Sequence, residues 1–195
     1  MNLIRGFKTR AEQLAQEVRR DLGLRPTDPL DPVALATRLG TFVMPIEDLV
    51  LDGATPKAIH RLQSCGEFSA ATLTTSRNRL ILYNSREPLT RLANSLTHEL
   101  SHLLLAHEAA PALDDLACRI WNTQQEEEAN WLAATLLVPR SAALQIVRSD
   151  LSLADAARVY GVSVRLMGWR LNTTGAFAQV ARERARRNRL GKVAT

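Results

Sequence analysis

Two histidines four residues apart sit inside a leucine-rich run, Leu96-Thr97-His98-Glu99-Leu100-Ser101-His102-Leu103-Leu104-Leu105, and this run restricts the fold more than any other stretch of the chain. Leu92, Leu96, Leu100 and Leu103 recur at intervals of three and four, which predicts a helix from Thr90 to about His107 with one apolar face. Four residues on a helix turn through ~400° and rise ~6 Å, so both imidazoles leave the same face one turn apart. A helix this apolar is buried, and buried histidines and a buried glutamate need partners for their polarity. A single tetrahedral metal ion bridging the two rings is such a partner. Glu99 lies ~100° round from His98, beside the ion rather than on it, where its carboxylate can take a proton from an attacking water and pass it to a leaving amine. His98, Glu99 and His102 thus point to metal-assisted hydrolysis, with Glu99 as the catalytic base.

Two histidines leave a catalytic zinc one protein ligand short. Downstream, Gln124-Gln125-Glu126-Glu127-Glu128-Ala129-Asn130 opens a second apolar helix, predicted from Gln124 to Leu137 and stopped before Pro139. Acids at a helix start are favoured by its dipole, and one of the three turned inward completes a His2Glu set. Periodicity does not separate Glu126, Glu127 and Glu128. Asn130, four residues after Glu126, shares its face and is placed to support that residue or a neighbouring ligand from behind.

The elements around these helices set the fold class. Leu3, Phe7, Leu14 and Val18 mark an amphipathic first helix with charges between them, followed by the proline-rich connector Arg25–Pro32. Asp31 suits an N-cap, Pro32 a first helical position and Gly40 a stop, which brackets a short helix Val33–Leu39. Thr41–Ile46 reads as a short strand, and Glu67–Asn84, alternating and rich in Thr, Leu and Ile, as a two-stranded hairpin. After the two long helices come helical stretches at Ser141–Arg148, Leu153–Tyr160, Ser163–Leu171 and Ala176 to about Arg189. Strands first and helices afterwards predict an α+β fold with a helical C-terminal part. The expected organisation is an N-terminal helix over 1–25, a metallopeptidase core over 26–140, and a helical part with a basic tail over 141–195.

Composition narrows the setting. The apolar content of 46% is ordinary for a globular protein. No apolar run approaches the ~20 residues of a bilayer span. The amphipathic start lacks the compact apolar stretch of a signal peptide, so a cytoplasmic location without membrane attachment is expected. Cys65 and Cys118 form no short ligand pattern and read as reduced core thiols. Arg182, Arg184, Arg186, Arg187, Arg189 and Lys192 against Glu183 account for a local charge equal to the whole net charge of +5. This basic tail reads as a solvated helix end, with a weak nucleic-acid contact as the functional alternative.

Several stretches together resemble the ImmA/IrrE family of metallo-endopeptidases. They are DPVALATRLG, LILYNSREPLTRLANSLTHELSHLLLAH, EEEANWLAATLLVP and SLADAARVYGVSVRLMGWRL, which span roughly residues 28 to 172 in matching order and separation. The resemblance implies a small zincin-like, gluzincin-type domain with a short β-sheet, an HExxH active-site helix and a second helix whose ligand glutamate lies four residues before an Asn. Carried over, that makes Glu126 the third ligand beside His98 and His102, with Glu128 as second choice and Asn130 behind the ligand. It implies Zn2+ as cofactor, with Mn2+ or another divalent ion as alternatives. It also implies a protein substrate: a helix-turn-helix repressor, or a partner from a mobile element or stress regulon, cut at one site to release transcription. Ser101 departs from the glycine more usual at that position of the family's motif.

Other residues carry less. His107 lies off the metal-facing stripe and reads as a helix-end residue; His60 lies in a polar stretch. Tyr83 and Tyr160 are candidate oxyanion donors without a placement. Trp121, Trp131 and Trp169 read as core. Leu153–Leu171 superficially resembles a helix-turn-helix, with Gly161 at the turn and Ser163 as cap, but its second helix offers only Arg165 and Arg170 to DNA, which favours packing. The strand Leu80–Tyr83 is expected to bind a substrate backbone by β-addition. Two rival functions remain: a metal-stabilised, antitoxin-like binding module without catalysis, and a DNA-binding regulator.

Overall fold

Phe7, Ala11, Ala15 and Val18 return every three or four residues, and all four are buried on one face of helix α1 (Phe7–Asp21). The protein is described by a computed structural model over residues 3–53, 55–64, 68–74, 78–107 and 122–193. Cys65, Cys118 and Trp121 lie outside the described residues. The remaining elements are α2 (Pro32–Arg38), β1 (Thr41–Pro45), a 3-10 turn (Ile46–Asp52), α3 (Pro56–Ser64), β2 (Ala70–Thr74), β3 (Arg79–Tyr83), α4 (Leu89–Leu104), α5 (Thr123–Leu137), α6 (Arg140–Arg148), α7 (Leu153–Val159), α8 (Val164–Thr173) and α9 (Ala176–Val193). The fold is α+β, a small sheet followed by helices, as expected of a zincin-like domain. The cap of α2 forms as its sequence dictates: the Asp31 carboxylate accepts the Val33 N–H at 2.9 Å, and Gly40 turns the chain at φ 63°. The 3-10 turn and α3 lie where the sequence reading predicts no element, because at seven and nine residues they are too short for an apolar periodicity to register as helix.

The sheet has the order β1-β3-β2, with β1 parallel and β2 antiparallel to β3. This corrects the expected substrate strand. Leu80–Tyr83 belongs to the middle strand, whose two edges are taken by β1 and β2, so it has no free backbone to offer. The free edge facing the site belongs to β2 among the described residues.

One core joins α1, α2, the sheet, α4 and one face of α5, with Ile81, Leu100 and Leu132 fully buried at its centre. A second core joins the end of α5 to α6–α9 through Val138, Ala142, Met167 and Leu171. From Trp131 to Leu137 every residue of α5 is buried, the signature of a helix covered on all sides. Such a helix cannot leave its last carbonyls to water. Two buried arginines from other helices serve them instead. Arg19 Nη2 donates to Leu136 O at 2.7 Å, and Arg170 Nε to Val138 O at 2.8 Å. Arg170 Nη2 also pairs with Glu12 at 2.6 Å, and the other Glu12 oxygen accepts the Arg140 N–H at the start of α6. Burial draws the Arg19 guanidinium down to about 10, which leaves it charged at neutral pH. Positive charge at a helix C-terminus also suits the dipole.

The helix-turn-helix-like segment is α7 and α8, with Gly161 at φ 61° and the Ser163 hydroxyl capping Leu166 N. Arg170 points inward to Glu12, and Trp169 meets Trp131 edge-on at 5.1 Å. Of the two arginines the sequence offered to DNA, only Arg165 is exposed. No helix of the described residues is long and apolar enough to cross a membrane.

Candidate metal centre

Helices α4 and α5 lie side by side and carry the site between them. The two histidine rings stand in the edge-to-face arrangement that one helical turn imposes, with centroids 4.8 Å apart. His98 Nε2 and His102 Nε2 are 3.2 Å apart. Glu126, in the first turn of α5, brings Oε2 to 3.2 Å from His98 Nε2 and Oε1 to 3.7 Å from His102 Nε2. The first turn that carries Glu126 is fixed by Asn122, whose side chain accepts the Gln125 N–H. Among the described residues, His98, His102 and Glu126 are the group whose ligand atoms converge as a metal site needs.

These donors fit a tetrahedral ion. Ligands at ~2.0–2.1 Å from such an ion stand about 3.3 Å from one another, close to the 3.2, 3.2 and 3.7 Å found here. With both Nε2 atoms unprotonated, two imidazole lone pairs and a carboxylate aimed at one point repel, and a cation between them relieves that repulsion. The chemistry of this donor set suits zinc and other divalent ions of borderline softness.

Glu99 stands beside this group. Its Oε2 accepts the Thr72 hydroxyl at 2.6 Å, from edge strand β2. Burial pushes the Glu99 carboxyl above the usual range, while the Thr72 bond and nearby His98 pull it down and Glu126 pushes it up again. A raised carboxyl near a cluster of ligands suits a group that must both take and return a proton. Ser101, in place of the family's glycine, is fully buried and donates its hydroxyl to Thr97 O at 2.7 Å, so the helix accommodates it without an unpaired polar atom.

Two expectations need correction. Asn130 is exposed and makes no hydrogen bond to Glu126, since the helix turns its side chain outward one turn on. Glu128, the second-choice ligand, lies outside the converging group; its Oε2 meets His107 Nε2 at 3.4 Å and its Oε1 accepts Gln124 Nε2 at 3.0 Å.

His107 is not a helix-end bystander. α4 stops at Leu104, earlier than the sequence pattern suggested, and Ala106 adopts φ 52°. The His107 N–H then bonds to His102 O at 3.0 Å and the Ala106 N–H to Leu103 O at 3.1 Å. These are the two bonds of a Schellman cap. The left-handed residue is an alanine instead of the usual glycine, at a cost of about 1–2 kcal/mol. The reversal lays the His107 ring against His102, with Nδ1 to Nδ1 at 3.0 Å. Helical-wheel reasoning missed this because it assumes that the helix continues.

The other candidates stay apart. His60 is exposed, against Ser64; Tyr83 packs in the first core; the Tyr160 hydroxyl donates to Thr27 O at 2.7 Å.

Residues 61–172 match the family model for the peptidase M78, or IrrE N-terminal-like, domain, which is more than half of the chain and includes both α4 and α5. The chain belongs to this family. Comparison with curated proteins gives no significant match. Membership in the M78 family makes a metallopeptidase the coarse reading of the protein, and a divalent metal its expected cofactor.

Proposed function

We propose that the protein is a zinc-dependent endopeptidase that cuts a regulatory protein, a helix-turn-helix repressor first among candidates. The observation that carries this reading is the convergence of His98, His102 and Glu126 with Glu99 held alongside by Thr72. In this reading residues 26–140 carry the chemistry, and 141–195 contribute surface for the substrate protein.

When bound, a divalent ion supplies a Lewis acid for the scissile carbonyl and lowers the pKa of the attacking water. His98, His102 and Glu126 would hold it, zinc being favoured by two imidazoles and one carboxylate and manganese being the alternative. Glu99 takes the proton from the attacking water and delivers it to the departing amine, so that one water and one peptide bond become a carboxylate and a free amine. Thr72 anchors the Glu99 carboxylate through Oε2, which leaves Oε1 for that transfer in this reading. Since Thr72 lies on β2, a substrate strand added to the β2 edge runs directly past the base.

Glu99→Gln should keep the metal, measured by chelator competition, and abolish cleavage of any purified helix-turn-helix repressor that the wild type cuts. Retained cleavage in that variant sinks the proposal. DNA retention that depends on salt and disappears on deletion of residues 182–195 would instead support the regulator reading.

A further inference from the structure

Behind His102, on the side away from the converging ligands, three polar side chains form a line into the protein. His102 Nδ1 meets His107 Nδ1 at 3.0 Å, and His107 Nε2 meets Glu128 Oε2 at 3.4 Å. The His107 and Glu128 side chains are only 7% and 11% exposed, so water offers them little alternative partnership. The second Glu128 oxygen is already taken by Gln124. His98 has no such backing: among the described residues its buried Nδ1 finds no hydrogen-bond partner.

We propose that His107 and Glu128 are positioning residues for the metal, a two-step prop that holds His102 in the one tautomer able to ligate. The inference rests on the reading of His102 as a ligand through Nε2. A neutral imidazole has one N–H and one lone pair. If Nε2 gives its lone pair to a metal, the proton of His102 is on Nδ1. His107 Nδ1, 3.0 Å away, must then accept. That puts the His107 proton on Nε2, where a carboxylate waits to receive it. With both rings neutral and Glu128 ionised, only one placement of protons satisfies the whole line, and it is the placement that leaves His102 Nε2 bare towards His98 and Glu126. The charge of Glu128 favours each step by drawing both protons away from the metal side, which makes His102 the more basic ligand.

The prop depends on the backbone as well. His107 follows the left-handed Ala106, and its own N–H is bonded to the carbonyl of His102. One residue therefore grips His102 twice, by main chain and by ring. Glu128 comes from the neighbouring helix, two positions after the proposed ligand Glu126, so α5 supplies a carboxylate at each end of the His102–His107 pair.

The test measures zinc affinity by competition with a chromophoric chelator, on the full chain, for wild type, His98→Ala, His107→Ala, His107→Gln and Glu128→Gln. His107→Ala is expected to bind zinc about 10- to 100-fold more weakly than wild type. His107→Gln, whose amide can accept from His102 and donate to Glu128, is expected to recover part of the loss. Glu128→Gln should fall between wild type and His107→Ala. The second readout is the nitrogen chemical shifts of the histidine rings in the zinc-loaded wild type: Nδ1–H on His102 and Nε2–H on His107 are expected. Zinc affinity in His107→Ala within about threefold of wild type, while His98→Ala is far weaker, would overturn the prop and leave the metal site standing. A His107 protonated on Nδ1 would overturn it too. If His98→Ala binds zinc as tightly as wild type, the ligand reading fails and the prop falls with it. Should His107→Ala lose its fold, shown by circular dichroism of the metal-free form, the glutamine variants and the ring shifts still decide.

Discussion

The core beneath α4 and the core between α6 and α9 share one helix, α5, and keep their charges in different places. The first surrounds a line of buried and half-buried titratable groups: Glu99, His98, His102, Glu126, His107 and Glu128. The second is apolar throughout, from Val138 to Val180, and its ion pairs (Arg148 with Glu183, Arg184 with Asp150) sit at the surface. Charge buried in the first core reduces stability and carries the proposed chemistry. In the second core it would serve nothing. The boundary is the exception, because Arg19 and Arg170 are buried there to close the end of α5.

Substitutions that act in only one of the two regions separate them. Glu99→Gln has the largest expected effect, a fall in cleavage of 10²–10⁴-fold or more, within about the range of a lost acid–base group. The same change should raise the melting temperature of the metal-free protein. Burial holds the folded pKa of Glu99 above its unfolded value, so the ionised carboxylate disfavours the native state above that pKa, and stability returns as pH falls through it. A neutral amide escapes that penalty. A lower melting temperature would contradict the contrast drawn between the two cores.

Arg170→Ala should do the reverse. Removing the guanidinium leaves Val138 O unserved and Glu12 without its buried partner, a loss of about 3 kcal/mol, at the low end for a broken buried pair because Glu12 is partly exposed. Urea unfolding should report it as a lower midpoint, while zinc affinity is unchanged. Thr72→Val is milder and stays within the site. Without the hydroxyl the Glu99 carboxyl rises further, and because the base must be ionised, the acid limb of kcat/KM should move to higher pH. A pH profile that superimposes on wild type would remove Thr72 from the machinery. The smallest effect expected is that of Ala106→Gly, a gain of about 0.5–1 kcal/mol from relief of the left-handed alanine.

Much of the site was legible before the structure, and the reasons are local. A spacing of four on a leucine-rich helix fixes the relation of His98 to His102 without knowledge of the rest of the fold. The helix N-terminus at Glu126 was legible as a place for acids, yet which acid turns inward depends on how α5 docks against α4. Family resemblance pointed to Glu126, and the distances favour it. Thr72 could not be found from sequence, because its contact with Glu99 crosses from a strand to a helix 27 positions away. The free strand edge was misplaced for a related reason: alternation predicts that strands exist, but their order in the sheet is a tertiary fact. Asn130 failed because sharing a helical face with Glu126 does not mean facing the same neighbour.

The alanine at position 106 has a consequence for how this site can change. The cap fixes the number of residues between His102 and His107, since one more or one fewer would carry the third ring to another side of the turn. Residues 98 to 107 therefore form a cassette with no tolerance for insertion or deletion, even though its last three residues are not helical. Moved as a block onto another apolar helix, it would bring its three imidazoles already ordered, and the host would need only to face them with two carboxylates.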